Sequence, residues 1–406
     1  MNRTNDKTAL FETAPVPSAL AVMALPTIVS QLITLIYNIA DTWFIGRTKN
    51  PYMIAACSLV LTVFLAANSL ASLFGVGGGS LMVRLLGSRR EDEARKAASW
   101  SLSMSAFSAL AFSLLCLLLM NPLLRLLGAS DNTIGYARQY LLFVVILGGV
   151  PTVLSVTMGT MIRNVGYSRE AGFGLSMGGV LNILLDPVFM FVLLPDGYQV
   201  MGAGIATMLS NVASFVYFVL VYRRISKNTV LELPKRIEKL ERPSRASLFS
   251  VGIPAALALF LFDLTNIFIY RLTSAYGDIE LAAVGIVLKA ERLPLNVGIG
   301  ICLGMVPLVA YNYAAGNYER MRSFFSAARF AGVSVSVLSV IFYRIFAPVM
   351  IQIFIDDAET VYYGTQFLRI RCLATPFMFL SFHMVHFMQS VDRGGCSLWL
   401  VVIRQL

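Results

Sequence analysis

Long apolar runs alternate with short polar gaps along almost the whole chain. They fall at about 19–46, 53–83, 97–120, 138–162, 170–194, 203–222, 248–274, 280–311, 324–349 and 362–390. Each holds roughly 20 residues or more, enough to cross a hydrocarbon core of about 30 Å as helix. The pattern predicts ten membrane-spanning helices. An eleventh run, SLWLVVIRQL, begins near Ser397 and stops at Leu406; as helix it reaches only about 15 Å. The charged gap at 223–247, punctuated by Pro234 and Pro243, reads as a linker between two groups of helices. The expected organisation is a tail at 1–18, a six-helix bundle at 19–222, the linker, and a second bundle at 248–406.

The two groups read as copies. A shift of 228 residues places Pro26 on Pro254 and Asn38 on Asn266. Near the same offset GVGGGSLMVRLLG falls on GICLGMVPLVAYNYAAG, and YARQYLLF…RNVGYSREA on YGTQFLRI…QSVDRGGCS. With an even number of spans per half the copies run the same way, as parallel repeats about an axis along the membrane normal. On this pattern the second bundle is expected to be incomplete, lacking most of helix eleven and all of helix twelve.

Composition narrows the class. The chain is 57% hydrophobic and 13% charged, with a mean hydropathy of +0.73, which excludes an ordinary soluble domain. The net charge of +10 does not imply nucleic acid, because of where the basic residues lie. RLLGSRREDEARK, YRRISKN through KRIEKLERPSR, and NYERMR all fall on one side of the membrane if the N terminus is cytoplasmic. That is the positive-inside pattern. The first apolar run is too long for a signal-peptide core and reads as a retained helix. Cys57, Cys116, Cys302, Cys372 and Cys396 lie far apart and read as small apolar fillers, with neither disulfide nor zinc implied.

Ionisable residues inside such runs are costly and mark function by default. The clearest are Asp41 in YNIADTWFIG and Asp186 in LNILLDPVFM. Asn182 precedes Asp186 by four positions and Tyr37 precedes Asp41 by four, so each pair shares a helix face. With the N terminus inside, Asp41, Asp186 and Thr207 all lie in the outer halves of their helices and can meet in one polar pocket. Two carboxylates in a partly dry pocket favour uptake of a proton, or of Na⁺ with oxygen ligands. The competing structural reading ties each Asp to a neighbouring hydroxyl or amide that only holds helices together. Pro26 and Pro187 remove backbone donors and allow bends. In the second half Asp263 and the cluster Lys289, Glu291 and Arg292 lie within apolar runs. Lys289 is expected to pair with Glu291 or Asp263, either as part of a site or as plain charge neutralisation. Asp263 is out of register with Asp41, whose repeat position is Ile269, so the halves are functionally unequal.

Other signals are weaker. GVGGGS lacks the preceding strand and the GK[ST] of a phosphate loop. Together with Gly174, Gly178, Gly300 and Gly304 it reads as close helix packing through small residues. His383 and His386 are three apart but have neither a third ligand nor an HExxH around them, so no metal is assigned. Phe and Met side chains could line a cavity for flat lipophilic cations, but most must face lipid.

LPTIVSQLITLIYNIADTWFIGR, GVGGGSLMVRLLGSRREDEARKAAS, LNILLDPVFMF, GAGIATMLSN and MVPLVAYNYAAGNYERMR resemble the multidrug and toxic compound extrusion (MATE) transporters. The resemblance runs from about Leu25 to Leu406. It is strongest to a bacterial branch related to DNA-damage-inducible protein F and to staphylococcal-type multidrug exporters. It implies an all-α polytopic fold of two helix bundles about a central cleft. It also implies antiport of organic cations against H⁺ or Na⁺, without a cofactor. The family's cation site carries over onto Asp41, Asn182, Asp186 and Thr207, with Tyr37 beside them. Asp263, Glu291, Lys289 and Asn266 are the second-bundle candidates, and Pro26 and Pro187 the hinges. The expected protein is a monomeric, multi-pass, non-enzymatic antiporter of the bacterial inner membrane, exporting small organic cations. Three rivals stay open: a lipid-linked sugar flippase of the same superfamily, a membrane-embedded metalloprotease using His383 and His386, and an inactive shortened transporter.

Overall fold

The computed structural model describes residues 3–405 apart from 235 and 237. It also leaves out the side chains of residues 3–7, 259, 260, 263, 264, 267, 278 and 405. The first bundle comprises α1 (Arg3–Glu12), α2 (Val16–Gly46), α3 (Pro51–Gly87), α4 (Glu91–Leu118), α5 (Met120–Leu126), α6 (Ile134–Leu141), α7 (Gly149–Asn164), α8 (Ser168–Pro187) and α9 (Gln199–Ile225). The second comprises α10 (Arg242–Thr273), α11 (Asp278–Ala314), α12 (Tyr318–Gln352), α13 (Ala358–Arg371), α14 (Thr375–Ser390) and α15 (Gly394–Gln405). All ten apolar runs are helical. Among the described residues eight helices are long and apolar enough to cross a membrane, nine when the pair bent by 46° at Gly148 counts as one span. The seventh run lies in the 32-residue α10.

Helical hydrogen bonds satisfy the backbone where water is absent, and local chemistry sets where helices stop and bend. Asn50 caps α3 by accepting from the Tyr52 N–H, and Asn317 caps α12 by accepting from the Arg320 N–H. Pro187 ends α8, and a π-helical turn, Val188–Leu193, follows it. A second π turn, Leu142–Leu147, joins α6 to α7. Pro26 is carried inside the unbroken α2.

One end of the molecule carries the basic gaps, and there the two bundles are fused. Across it α2 packs on α11 and α3 on α10, the equivalent pairings expected of two parallel repeats. Glycine makes this approach possible. A Cβ on Gly300 would stand 2.7 Å from the Ile28 Cα, one on Gly304 2.7 Å from the Ala24 Cα, and one on Gly252 2.3 Å from the Leu73 carbonyl. The largest core cluster joins both bundles here, with Met23, Met82 and Met158 against Met305, Leu308 and Phe324. Toward the other end the cores separate. Ile45, Cys57, Leu141 and Met190 belong to a cluster of the first bundle, and Val287, Tyr343, Leu368 and Cys372 to one of the second.

Candidate functional site

The half of the first bundle away from the basic end holds the polar cluster. Helices α2 and α8 lie side by side because Gly179 has no side chain: a Cβ there would be 3.1 Å from both Ile33 and Tyr37. This contact sets the Tyr37–Asp41 face of α2 against the Asn182–Asp186 face of α8. Asp186 is 0% exposed and Asn182 4% exposed. The Asn182 Nδ2 donates to the Thr207 Oγ1 of α9 at 3.2 Å and points at the Asp186 Oδ1 at 3.4 Å. Thr207 in turn donates its hydroxyl to the Ala203 carbonyl at 2.9 Å. The Asp41 carboxylate is within Coulombic reach of Asp186.

Three acceptor oxygens in this pocket are shut off from solvent without a hydrogen-bond partner: Asp41 Oδ1, Asn182 Oδ1 and Asp186 Oδ2. Buried acceptors are rarely left unsatisfied, since each costs about 1–3 kcal/mol, more for a charge. Asp41, Asn182, Asp186 and Thr207, the residues expected to form a cation site, are thus gathered, with Tyr37 alongside. Sequence reasoning missed two neighbours, Tyr140 of α6 and Cys57 of α3. Both are 7% exposed and within Coulombic reach of Asp41. Tyr140 had a usable signal: a phenol inside an apolar run whose hydroxyl needs a polar companion.

In the second bundle Glu291 is paired with a residue other than Lys289. Glu291, 3% exposed, is bound by Arg371 of α13, whose Nη2 and Nε donate to Oε2 at 2.8 and 3.1 Å. Lys289 is exposed, because residues two apart point to opposite sides of a helix. Asn266 is half-buried. The side chain of Asp263 lies outside the described residues. His383 Nε2 sits 3.1 Å from the Phe325 carbonyl, and His386 Nδ1 2.8 Å from that of Phe382. Each is thus engaged with backbone and not turned toward the other as a ligand pair. Cys396 is exposed, unlike the other four cysteines, so it is no core filler. The small-residue reading of the glycines fits: Gly75, Gly174 and Gly178 meet Thr157, Phe218 and Ser214 at close range.

The family model described as MatE matches residues 26–188 and 254–406. Its two segments begin 228 residues apart, the offset of the internal repeat. The chain belongs to the MatE family. The "Multidrug export protein MepA" of Staphylococcus aureus (strain MSSA476) is 28% identical over 400 residues, spanning 97% of this chain and 86% of that protein. A solved "Outward-facing conformation of a multidrug resistance MATE family transporter of the MOP superfamily" superposes with a TM-score of 0.90 at 22% identity. It covers 100% of this chain and 89% of the other. A second, "Reverse polarity of binding pocket suggests different function of a MOP superfamily transporter from Pyrococcus furiosus Vc1 (DSM3638)", gives 0.88 at 22% identity, covering 100% and 89%. This MatE protein therefore has the membrane-embedded transporter fold, and its specificity must be argued from its own side chains.

Proposed function

We propose that this protein is a secondary antiporter of the bacterial inner membrane, with a cytoplasmic N terminus. It exports lipophilic or cationic compounds in exchange for H⁺ or Na⁺. The observation that carries this reading is the trio of partnerless oxygens from Asp41, Asn182 and Asp186. A proton on one carboxylate, or a Na⁺ taking the trio with Thr207, would satisfy them, and either removes charge from a buried pocket. The pocket joins α2, which crosses to the second bundle through Gly300 and Gly304, to α8. Filling it would change how α2 and α8 repel each other, and so the stance of the helix that seals the basic end.

The driving force is adequate. One charge moving inward through 100 mV contributes about 2.3 kcal/mol, and each pH unit about 1.4 kcal/mol. The organisation proposed is a tail at 1–18, bundles at 19–222 and 248–406, and a linker at 223–247, acting as a monomer without cofactor or nucleic acid. In proteoliposomes, a lipophilic cation such as tetraphenylphosphonium should be expelled against its gradient when pH and Na⁺ gradients are imposed separately. Expulsion under neither would refute the antiport reading.

One observation favours the flippase alternative. Arg163 Nε and Arg404 Nη1 and Nη2 are buried without hydrogen-bond partners, and buried cations suit an anionic substrate. Transport of a fluorescent lipid pyrophosphate, with tetraphenylphosphonium untouched, would select it.

A further inference from the structure

The first eighteen residues read as a tail, yet α1 is wedged where the two bundles meet. Only Thr13, Ala14 and Pro15 separate α1 from α2, so α1 is covalently part of the first bundle. Among the described residues, the hydrogen bonds made by its C-terminal end run mostly to the second. Arg320 of α12 donates through Nε to the Phe11 carbonyl at 2.7 Å and through Nη2 to that of Ala14 at 2.6 Å. Asn312 of α11 donates to the same Phe11 carbonyl at 3.1 Å. These donors answer the carbonyls that a helix C terminus leaves unpaired, and a cation is favoured there by the helix dipole. The Phe11 side chain, 6% exposed, lies against the Tyr311 ring with centroids 5.1 Å apart.

Glu12 completes the bridge. Its Oε1 accepts from the Tyr311 hydroxyl of the second bundle at 2.6 Å and from the Arg89 guanidinium of the first at 2.6 Å. The repeat shows why such a bridge is needed on this side. At the end of α11 Tyr311 takes the place of Arg84 at the end of α3: the Ala315 N–H donates to the Tyr311 carbonyl as the Ser88 N–H does to that of Arg84. Arg84 closes the other side of the seam. Its Nη1 lies 2.9 Å from Asp392, and its Nη2 donates to Ser247 at 2.7 Å. Tyr311 carries no charge to do the same, and Phe11 and Glu12 occupy its side of the seam. Beside them lies a cavity of about 280 Å³ whose lining comes mostly from the first bundle, including Phe11, Val83, Arg89 and Asn164, with Tyr311 from the second.

We infer that residues Leu10–Ala14 form a strap that holds the basic end shut, with Glu12–Tyr311 as its clasp. Opening that end requires the clasp to part and Phe11 to leave Tyr311. The inference rests on the reading that the two bundles alternate in opening, but its test does not depend on the substrate.

The test uses the full chain in nanodiscs with Cys396→Ser and spin labels on cysteines at the exposed positions Ser88 and Ala315, one on each bundle. Glu12→Gln and Tyr311→Phe should each raise the long-distance population roughly tenfold, the ratio expected for losing a hydrogen bond to a charged group. Bridging Glu12→Cys to Tyr311→Cys with a short bis-maleimide should abolish that population and stop transport, while either single cysteine treated alike keeps both. Unchanged distances in both variants, or a bridged protein that still transports, overturns the strap. Normal distances with no transport by the unmodified protein would instead count against the antiporter reading.

Discussion

Asn182 sits one helical turn before Asp186 and aims its amide nitrogen at the carboxylate, 3.4 Å from Oδ1. The same nitrogen is held by Thr207 at 3.2 Å, so the Asn182 oxygen is turned into the pocket without a partner. This arrangement separates the two coupling ions. Asn182→Ala removes an oxygen ligand from a Na⁺ site but removes a donor from the carboxylate in a proton site. If Na⁺ is the coupling ion, the concentration for half-maximal transport rises, by roughly tenfold for about 1.5 kcal/mol of lost interaction. If the ion is H⁺, half-maximal transport moves to a lower proton concentration. Transport measured against external Na⁺ and against external pH reads the sign.

The Glu291–Arg371 pair supports the second bundle. Glu291→Gln should cost about 2–3 kcal/mol, below the roughly 3–5 kcal/mol of a wholly buried pair because the Arg371 side chain is 31% exposed. Glu291→Gln with Arg371→Gln should recover part of that loss. Denaturation midpoints in detergent measure both, and an additive double variant would show that the pair has no mutual stabilisation.

Glycine substitutions should divide sharply by position. Gly300→Ala puts a methyl 2.7 Å from the Ile28 Cα across the seam, where overpacking costs about 1–3 kcal/mol. It should also raise the long-distance population of labels at the basic end. Gly46→Ala meets nothing within 4 Å and should be neutral or stabilising by up to about 1 kcal/mol. Thermal melts of the two variants give the comparison.

Asp357, in the turn before α13, accepts from the Thr360 N–H at 2.8 Å and from its hydroxyl at 2.6 Å. Those bonds hold its carboxyl below the usual carboxylate range. A depressed folded value contributes stability that is present above about pH 4 and lost as the pH falls through the folded value. The protection of amides in the first turn of α13, taken relative to their intrinsic exchange rates at each pH, should therefore fall below about pH 4, and Asp357→Asn should remove that fall while keeping the cap.

The sequence was most legible where one physical constraint dominates. A run of about 20 apolar residues has no option in lipid except helix, and all ten runs are helical. Asp41 and Asp186 stood out because charge in such runs is rare. The end of α8 at Pro187 was legible through its missing donor. By contrast, Leu142–Leu147 becomes a π turn without a proline to announce it. Tyr140 signals that a polar companion is needed but not which one, and Arg371 lies 80 positions from Glu291, beyond any local pattern. The strap was missed for a different reason. A short polar segment gives no periodic signal, and its fit depends on Asn312 and Arg320 being brought to it by the fold.

In the antiport proposed, Asp41 and Asp186 carry the coupling ion. The most direct test of this compares gradient-driven accumulation of tetraphenylphosphonium with gradient-free exchange, in vesicles containing Asp41→Asn, Asp186→Asn or both. Accumulation should fall to the level of empty vesicles in each variant while exchange of bound compound persists. Undiminished accumulation by the double variant would contradict it.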